Sequence, residues 1–249
     1  MPVIGSQPTG LLVMNFRRPL LCLALVVSVL LSGCDEFPRD PEGTLDGVRG
    51  SVMRVGISEY PPWTTVSEDK VGGIEVELAE GFARELDARI EWIPGTEQKL
   101  LEALSTFELD LVIAGLTSET PWTAHVGLTV PYVRTASLVG LPPGVEIGGD
   151  LSDEAIAVVP GDPVADRVRD EGGRPVPARD LSAADQPVAA EDWRLAAWSF
   201  RPTGFVLERH RHVMAVPPGE NGFLVRLERF LGGRGTGVWQ ALAAAEVRR

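Results

Sequence analysis

Three groups of side chains in this sequence have types and spacings that bear on chemistry. His210 and His212 stand one residue apart, so on a strand they share a face. Two histidines without a third donor nearby do not make a metal centre, because zinc sites take three or four protein ligands; these two are read as surface histidines. Glu191 and Asp192 are adjacent acids, but a chain with 35 aspartates and glutamates holds many such pairs. Adjacency alone does not specify acid–base catalysis. The third group is Tyr60 and Trp63, which bracket Pro61-Pro62, together with the hydroxyl offered by the turn Gly115-Leu116-Thr117. Machinery for covalent chemistry is missing. There is no G-x-x-x-x-G-K-[ST] loop, no serine in G-x-S-x-G and no cysteine beyond Cys34. Gly232-Gly233-Arg234-Gly235 lacks the preceding strand that a dinucleotide loop needs. The residues suit binding rather than bond breaking, and the chain is read as a non-enzyme with no cofactor and no metal.

The elements that must position these residues alternate between strand and helix. Residues 52–58 form a short β-branched run that ends at the Tyr60–Trp63 turn. In a helix over 75–86, Ala79, Phe82, Ala83 and Leu86 fall on one stripe. A strand at 89–93 follows. Thr96 is placed to N-cap a helix whose Leu100, Leu104 and Phe107 share a face, and 109–114 is a mostly apolar strand. Such a β-α-β-α-β run predicts a parallel sheet with right-handed crossovers. Ligands in such sheets sit beyond the carboxyl ends of the strands, which brings Tyr60, Trp63 and Gly115-Leu116-Thr117 to one rim. A second unit starts near Pro142. It has a strand at 155–159, Asp162 as N-cap with Pro163 at the first helical position, and Gly172-Gly173 as the stop. Strands at 186–190 and 212–216 and helices at 222–231 and 239–247 complete the pattern.

The 249 residues suffice for one or two domains, and 44% apolar with 23% charged content argues against global disorder. A net charge of −12 disfavours nucleic acid and bare anionic lipid as partners, since both require a basic face. At the N-terminus, Arg17 and Arg18 precede an uncharged apolar stretch, PLLCLALVVSVLLSG, over 19–33. That is short for a membrane span and fits a secretory signal. Leu31-Ser32-Gly33-Cys34 resembles the lipobox of bacterial lipoproteins, which implies cleavage before Cys34 and lipidation of its sulfur. Met14, followed by two arginines, is a plausible true start. The expected division is a signal peptide over 1–33, a tether over 34–50, lobe 1 over 51–141, lobe 2 over 142–211 and a return to lobe 1 over 212–249.

The segments MRVGISEYPPW, GGIEVELAEGFARELDARIEWIP, LLEALSTFELDLVIAGLT and VGLTVPYVRTASLVGL, in this order, resemble the extracellular solute-binding proteins of family 3, the amino-acid-type periplasmic binding proteins of ABC importers. The likeness is close over 52–141 and looser over 155–231. It implies an α/β, two-lobed periplasmic-binding-protein fold of type II, each lobe a mostly parallel sheet flanked by helices. Hinge strands would lie near 132–141 and 209–216. It implies a small-molecule ligand between the lobes, an ABC permease as partner, a monomer, and a lipid-anchored protein on the outer face of the cell membrane. Site by site, the resemblance makes Tyr60 and Trp63 the aromatics that stack on ligand, and Thr117 a donor through its hydroxyl and N–H. It puts Trp122 where the family has the arginine that clamps an α-carboxylate, Asp162 where the family has a threonine at a helix start, and Asp192 or Glu191 as the acid that pairs the ligand amine.

Two of these positions depart from the family in the same direction. Tryptophan cannot replace a bidentate arginine, and an aspartate at a helix start repels a ligand carboxylate. The expected ligand is therefore cationic or neutral, held by Tyr60, Trp63, Thr117, Trp122, Asp162 and Asp192, with cation–π contacts contributing roughly 0.5–2 kcal/mol each. Alternatives are a ligand-sensing module of the same fold without transport, and a dehydratase-like enzyme. The dehydratase lacks its carboxylate anchor, and a chain ending at Arg249 is expected to carry no fused lyase.

Overall fold

The structure, a computed structural model, describes Met1, Gly5, residues 38–67 and residues 70–248. The signal segment, Cys22 and Cys34 lie outside the described residues. From Pro38 onward the chain forms one compact unit built on two five-stranded sheets and a small two-stranded one, β2 (Thr65–Ser67) with β3 (Lys70–Gly72).

The first sheet is made by β1 (Val52–Ile57), β4 (Arg89–Pro94), β5 (Leu111–Ile113), β6 (Gly127–Leu128) and β12 (Ala215–Val216), in the order β4-β1-β5-β12-β6. Strand β1 runs parallel to β4 and β5, with Val55 opposite Trp92 and Leu111. The predicted parallel core is thus present. Its centre is apolar because both faces are covered: Met53, Val55, Ile57 and Leu111 have no exposure, while the edge strand β4 carries exposed Arg89 and Glu91. Helix α2 (Ile74–Glu85) covers one face with the anticipated stripe, Ala79, Phe82 and Ala83 all being buried. Phe82 packs edge-on against Phe223 of α6 (Asn221–Leu231), ring centroids 5.5 Å apart. Each such ring contributes about 1.5–3 kcal/mol by leaving water. On the other face, α3 (Glu97–Ser105) buries Leu100, Leu101 and Leu104. Two expectations fail here. Thr96 occupies the N-cap position but makes no side-chain cap bond. Phe107 has already left the helix at φ 62°.

The second sheet contains β7 (Val133–Leu141), β8 (Ala155–Val158), β9 (Arg174–Pro177), β10 (Val188–Glu191) and β11 (Arg201–His212), in the order β11-β7-β10-β8-β9. Strands β8, β9 and β10 are mutually parallel, whereas β7 runs antiparallel to both β10 and β11. Helix α4 (Val164–Asp170) and helix α5 (Asp192–Ala197) follow β8 and β10. The boundary expected at 141 is therefore misplaced. Residues 133–141 belong to the second sheet, because β7 pairs with β10 through Leu138, Val139 and Gly140. The strand predicted at 212–216 is two pieces: β11 ends at His212 and β12 begins at Ala215. The chain crosses between sheets beside this break, where Thr129 N donates to Met214 O at 3.0 Å and Tyr132 N to His212 O at 3.0 Å.

The expected tether is the larger correction. Helix α1 (Thr44–Val48) and the residues before it dock on the body. Both oxygens of buried Glu220 accept backbone donors, Glu42 N at 2.9 Å and Thr44 N at 2.8 Å. Asp40 in turn accepts Phe223 N at 3.0 Å, at the start of α6. An Asp-, Pro- and Gly-rich stretch without periodicity looks like a linker; here it is held by hydrogen bonds rather than by an apolar stripe. The last helix, α7 (Gly235–Val247), begins four residues before the predicted start.

Candidate functional site

The carboxyl end of β1 leads into Tyr60-Pro61-Pro62-Trp63, closed by reciprocal backbone bonds between Tyr60 and Thr64. The turn delivers its two rings to different places. Trp63 is 4% exposed; it stacks on His212 at 3.9 Å between ring centroids and meets Tyr132 edge-on at 6.4 Å. Tyr60 is 56% exposed and stands at the rim. Beneath them lies Gly115, with φ +65°; an added Cβ would come within 2.3 Å of the Tyr60 ring and 3.1 Å of Trp63. Only glycine combines that backbone conformation with that approach. The Gly115 amide is held by Glu75, on the first turn of α2, at 2.8 Å. The other Glu75 oxygen accepts the Tyr132 hydroxyl at 2.5 Å. Burial pushes the Glu75 carboxyl up to about 7, against the pull of these two bonds.

Facing this rim is a cleft of about 280 Å³ lined from both sheets. Tyr60, Trp63, Gly115 and Thr117 come from the first; Ser137, Asp162, Glu191, Trp193, Arg194, Glu208 and His210 come from the second, and His212 lies at the crossing. Its polar floor is a small cluster. Ser137 Oγ donates to Glu191 Oε1 at 2.7 Å, His210 Nε2 lies 3.2 Å from the same oxygen, and Ser137 Oγ lies 3.3 Å from His210 Nε2. The antiparallel register of β7 and β11 sets Glu208 opposite Ser137, His210 opposite Thr135 and His212 opposite Val133. Period-two alternation then turns His210 and His212 to one face, with ring centroids 6.2 Å apart. Burial pushes the Glu191 carboxyl up, but His210 and Ser137 outweigh it and hold it below the usual range. His210 is raised by its bond to Glu191, against the opposing effect of burial. His212, beside Thr135 at 3.1 Å, is lowered by burial to about 4 and is neutral.

Among the described residues, three buried side-chain atoms have no hydrogen-bond partner: Glu191 Oε2, His212 Nδ1 and Arg194 Nε. All three residues line this one cleft. Leaving a buried polar atom unpaired costs roughly 1–3 kcal/mol; Arg194 Nε faces Glu246 Oε2 at 3.7 Å, so Glu191 Oε2 and His212 Nδ1 are the two that mark a place built to receive polar groups. Arg194 also lies over the Trp193 ring at 5.0 Å.

The structure brings together only part of the site expected from sequence. Tyr60, Trp63, Thr117 and Asp162 line the cleft; Trp122 and Asp192 do not. Trp122 begins the short 3-10 turn Thr123–His125 at φ +71° and is 59% exposed, so the ring at the family's arginine position does not fill the pocket. Asp192 accepts the N–H of Trp193 at 2.8 Å and bonds Trp239 of α7, which consumes its carboxylate. Its neighbour Glu191 projects into the cleft instead. Thr117 can offer only its hydroxyl, since its N–H donates to Thr120 Oγ1 at 2.9 Å. Asp162 caps Val164 N at 2.9 Å, and the helix begins at Val164 rather than Pro163. Arg134 is exposed, against Trp239 and Gln240 outside the cleft. Ser137 and Arg194 carry no signal in the sequence, and His210 and His212, expected at the surface, line the cleft instead. The His-x-His spacing was the signal for two of them, and the long strand that aims them inward was not foreseen.

The family model of bacterial extracellular solute-binding proteins, family 3, matches residues 53–231. A membrane-bound lytic murein transglycosylase F of Vibrio cholerae is 34% identical over 104 residues, 41% of this chain; the chain spans only 19% of that relative's length. Among solved structures, the L-cystine solute receptor of Neisseria gonorrhoeae, unliganded and open, superposes with a TM-score of 0.65 at 14% identity over 83% of this chain and 97% of that one. A putative ABC-transporter binding component from Wolinella succinogenes, complexed with lysine, gives 0.54 at 18% identity over 80% and 96%. At these identities the structural likeness speaks for the fold alone, which is that of the two-lobed periplasmic binding proteins.

Proposed function

Because the chain belongs to the bacterial extracellular solute-binding proteins of family 3, we propose that it captures a small polar solute carrying a cationic group in the cleft between its two sheets. The observation that carries this reading is the convergence on one cleft of Glu191 Oε2 and His212 Nδ1, two buried atoms without a hydrogen-bond partner. Glu191 Oε2 accepts a donor from the solute, Tyr60 and the Trp63 edge cover its apolar part, and Thr117 adds a hydroxyl bond. Two acids beside the cleft, Asp162 and Glu208, bias it further towards positive charge. Arg194 replaces the family's missing arginine only if the solute also carries an acid. The reading assigns no catalytic step. It places the protein outside the cytoplasmic membrane, tethered by a lipid on Cys34, where it delivers its solute to an ABC permease.

A second reading, a ligand-sensing module without transport, is favoured by the match to part of a transglycosylase F. Co-purification distinguishes the two: a permease and its ATPase retained with the tagged protein support import, and a cell-wall enzyme retained instead supports sensing. Solute capture itself is tested by thermal shift against standard amino acids, polyamines, quaternary amines, sugars and small aromatics. A true ligand at 100 times its Kd stabilises the fold by about 2.7 kcal/mol, and Glu191→Gln is expected to abolish the response to an amine. Stabilisation by sugars alone, undiminished in Glu191→Gln, overturns the cation reading.

A further inference from the structure

The proton on His210 has no assigned role in capture, yet its geometry gives it one. His210 Nε2 sits 3.2 Å from Glu191 Oε1, against the carboxylate that solute capture requires. Ser137 braces both partners, donating to the carboxylate at 2.7 Å and lying 3.3 Å from the imidazole. Both groups are three-quarters buried, so their charges are poorly screened. We propose that His210 is an internal counter-ion, holding Glu191 while the cleft is empty and losing its proton when a cationic group of the solute takes its place. Capture of a cation is then coupled to release of a proton, and His210 is a positioning and specificity residue rather than a passive wall. This rests on the solute-binding reading above and deepens it.

The other groups around His210 support the same direction. Glu191 faces it from β10, Glu208 and His212 from its own strand, and Thr135 and Ser137 from β7. Glu119, in the turn after Thr117, adds a weaker charge effect on it, with its carboxylate engaged by Arg211. The acids favour protonated His210, with Glu191 dominant; His212 stays neutral and adds no competing charge. Asp162 and Arg194, the remaining charged residues of the lining, stand with opposite signs. A cation bound to Glu191 removes the principal stabiliser of the imidazolium and adds a like charge beside it. The proton affinity of His210 must fall. By linkage, the affinity for a cation rises with pH across the window between the bound-state and empty-state midpoints, by at most tenfold per pH unit.

The test needs no identified ligand. The imidazole resonances of the chain's 3 histidines are followed against pH by NMR, in sodium chloride and in methylammonium chloride at equal ionic strength. His210→Gln identifies the resonance. The expected result is a His210 midpoint above the ordinary value in sodium chloride, lowered by about one unit in methylammonium. In Glu191→Gln the midpoint is expected to be low and insensitive to the cation. If that variant does not fold, the two-salt comparison on the unaltered protein still decides. An identical midpoint in both salts overturns the proposal, as does an amine found by thermal shift whose affinity is flat across the His210 titration. A panel without any hit, accompanied by a methylammonium-sensitive His210, overturns the solute reading and spares the counter-ion pair.

Discussion

Glu75 and His212 are buried, both adjoin Trp63, the first through its N–H bonded to Trp63 O at 3.0 Å and the second by ring stacking, and they carry opposite linkages to pH. Burial raises the Glu75 carboxyl to about 7, so the native state holds its proton more tightly than the unfolded chain. Its contribution is complete below the ordinary value of 4.5 and is lost as pH rises through about 7. Burial lowers His212 from 6.5 to about 4, so its contribution is complete above 6.5 and is lost as pH falls through about 4. Each amounts to about 3 kcal/mol at most, and over the shared window they oppose. The expected outcome in the unaltered protein is a shallow stability profile between the two. Glu75→Gln removes one side, so stability then climbs steadily from pH 4 to 6.5, following the His212 range. Denaturant unfolding at a series of pH values measures this; a profile with unchanged slope in Glu75→Gln would show that the carboxyl is already ionised. Tyr132 lies at the crossing between sheets and shares Glu75 with the Gly115 turn, so this one acid ties the cleft floor to the hinge.

The elements that decide the site are β11 and the docked segment ahead of β1. Strand β11 runs from Arg201 to His212 with register shifts between Pro202 and Val206 and between Val206 and Glu208. Such irregularities re-aim side chains, and beyond the second shift Glu208 and His210 line the cleft with His212. The docked segment depends on Glu220, 1% exposed, whose two oxygens are both occupied. Glu220→Ala leaves two backbone N–H groups unmet and is expected to cost about 1–3 kcal/mol. It should also open residues 38–50 to limited proteolysis. Loss of stability without faster cleavage there would mean that the segment is held by α1 packing alone, through Val48.

At the scale of the whole molecule, the two sheets are joined at residues 129–133 and 212–215, with the cleft lined from both. The family is extracytoplasmic, and among the described residues no helix is long and apolar enough to cross a membrane. On the function proposed above, the chain is attached through a lipid on Cys34. Metabolic labelling with a radioactive fatty acid is expected to mark the unaltered protein and to fail on Cys34→Ser, which should leave the membrane fraction. A chain that keeps its label after Cys34→Ser would refute the lipid anchor.

Sequence alone determined the parallel half of the first sheet, because an apolar strand followed by an amphipathic helix has few other ways to bury its surface: 52–58, 75–86 and 109–114 all appear within a residue or two. It also brought Tyr60, Trp63 and Thr117 to one cleft, since the turn after a parallel strand has a fixed location relative to the sheet, though Trp63 is buried beneath the rim. The acids and histidines depended on tertiary structure. Glu191 and Asp192 are neighbours with the same chemistry, and only the geometry at the end of β10 decides that one enters the cleft while the other bonds Trp193 N and Trp239. His210 and His212 looked like surface residues because no local pattern announces β11; its pairing with β7 is set by contacts some seventy residues away in the chain. Trp122 was misplaced because a left-handed backbone turn, invisible in residue type, rotates its ring outward. Local periodicity encodes an element and the face it buries; the direction of a polar side chain at an element's end is encoded by whatever packs against it.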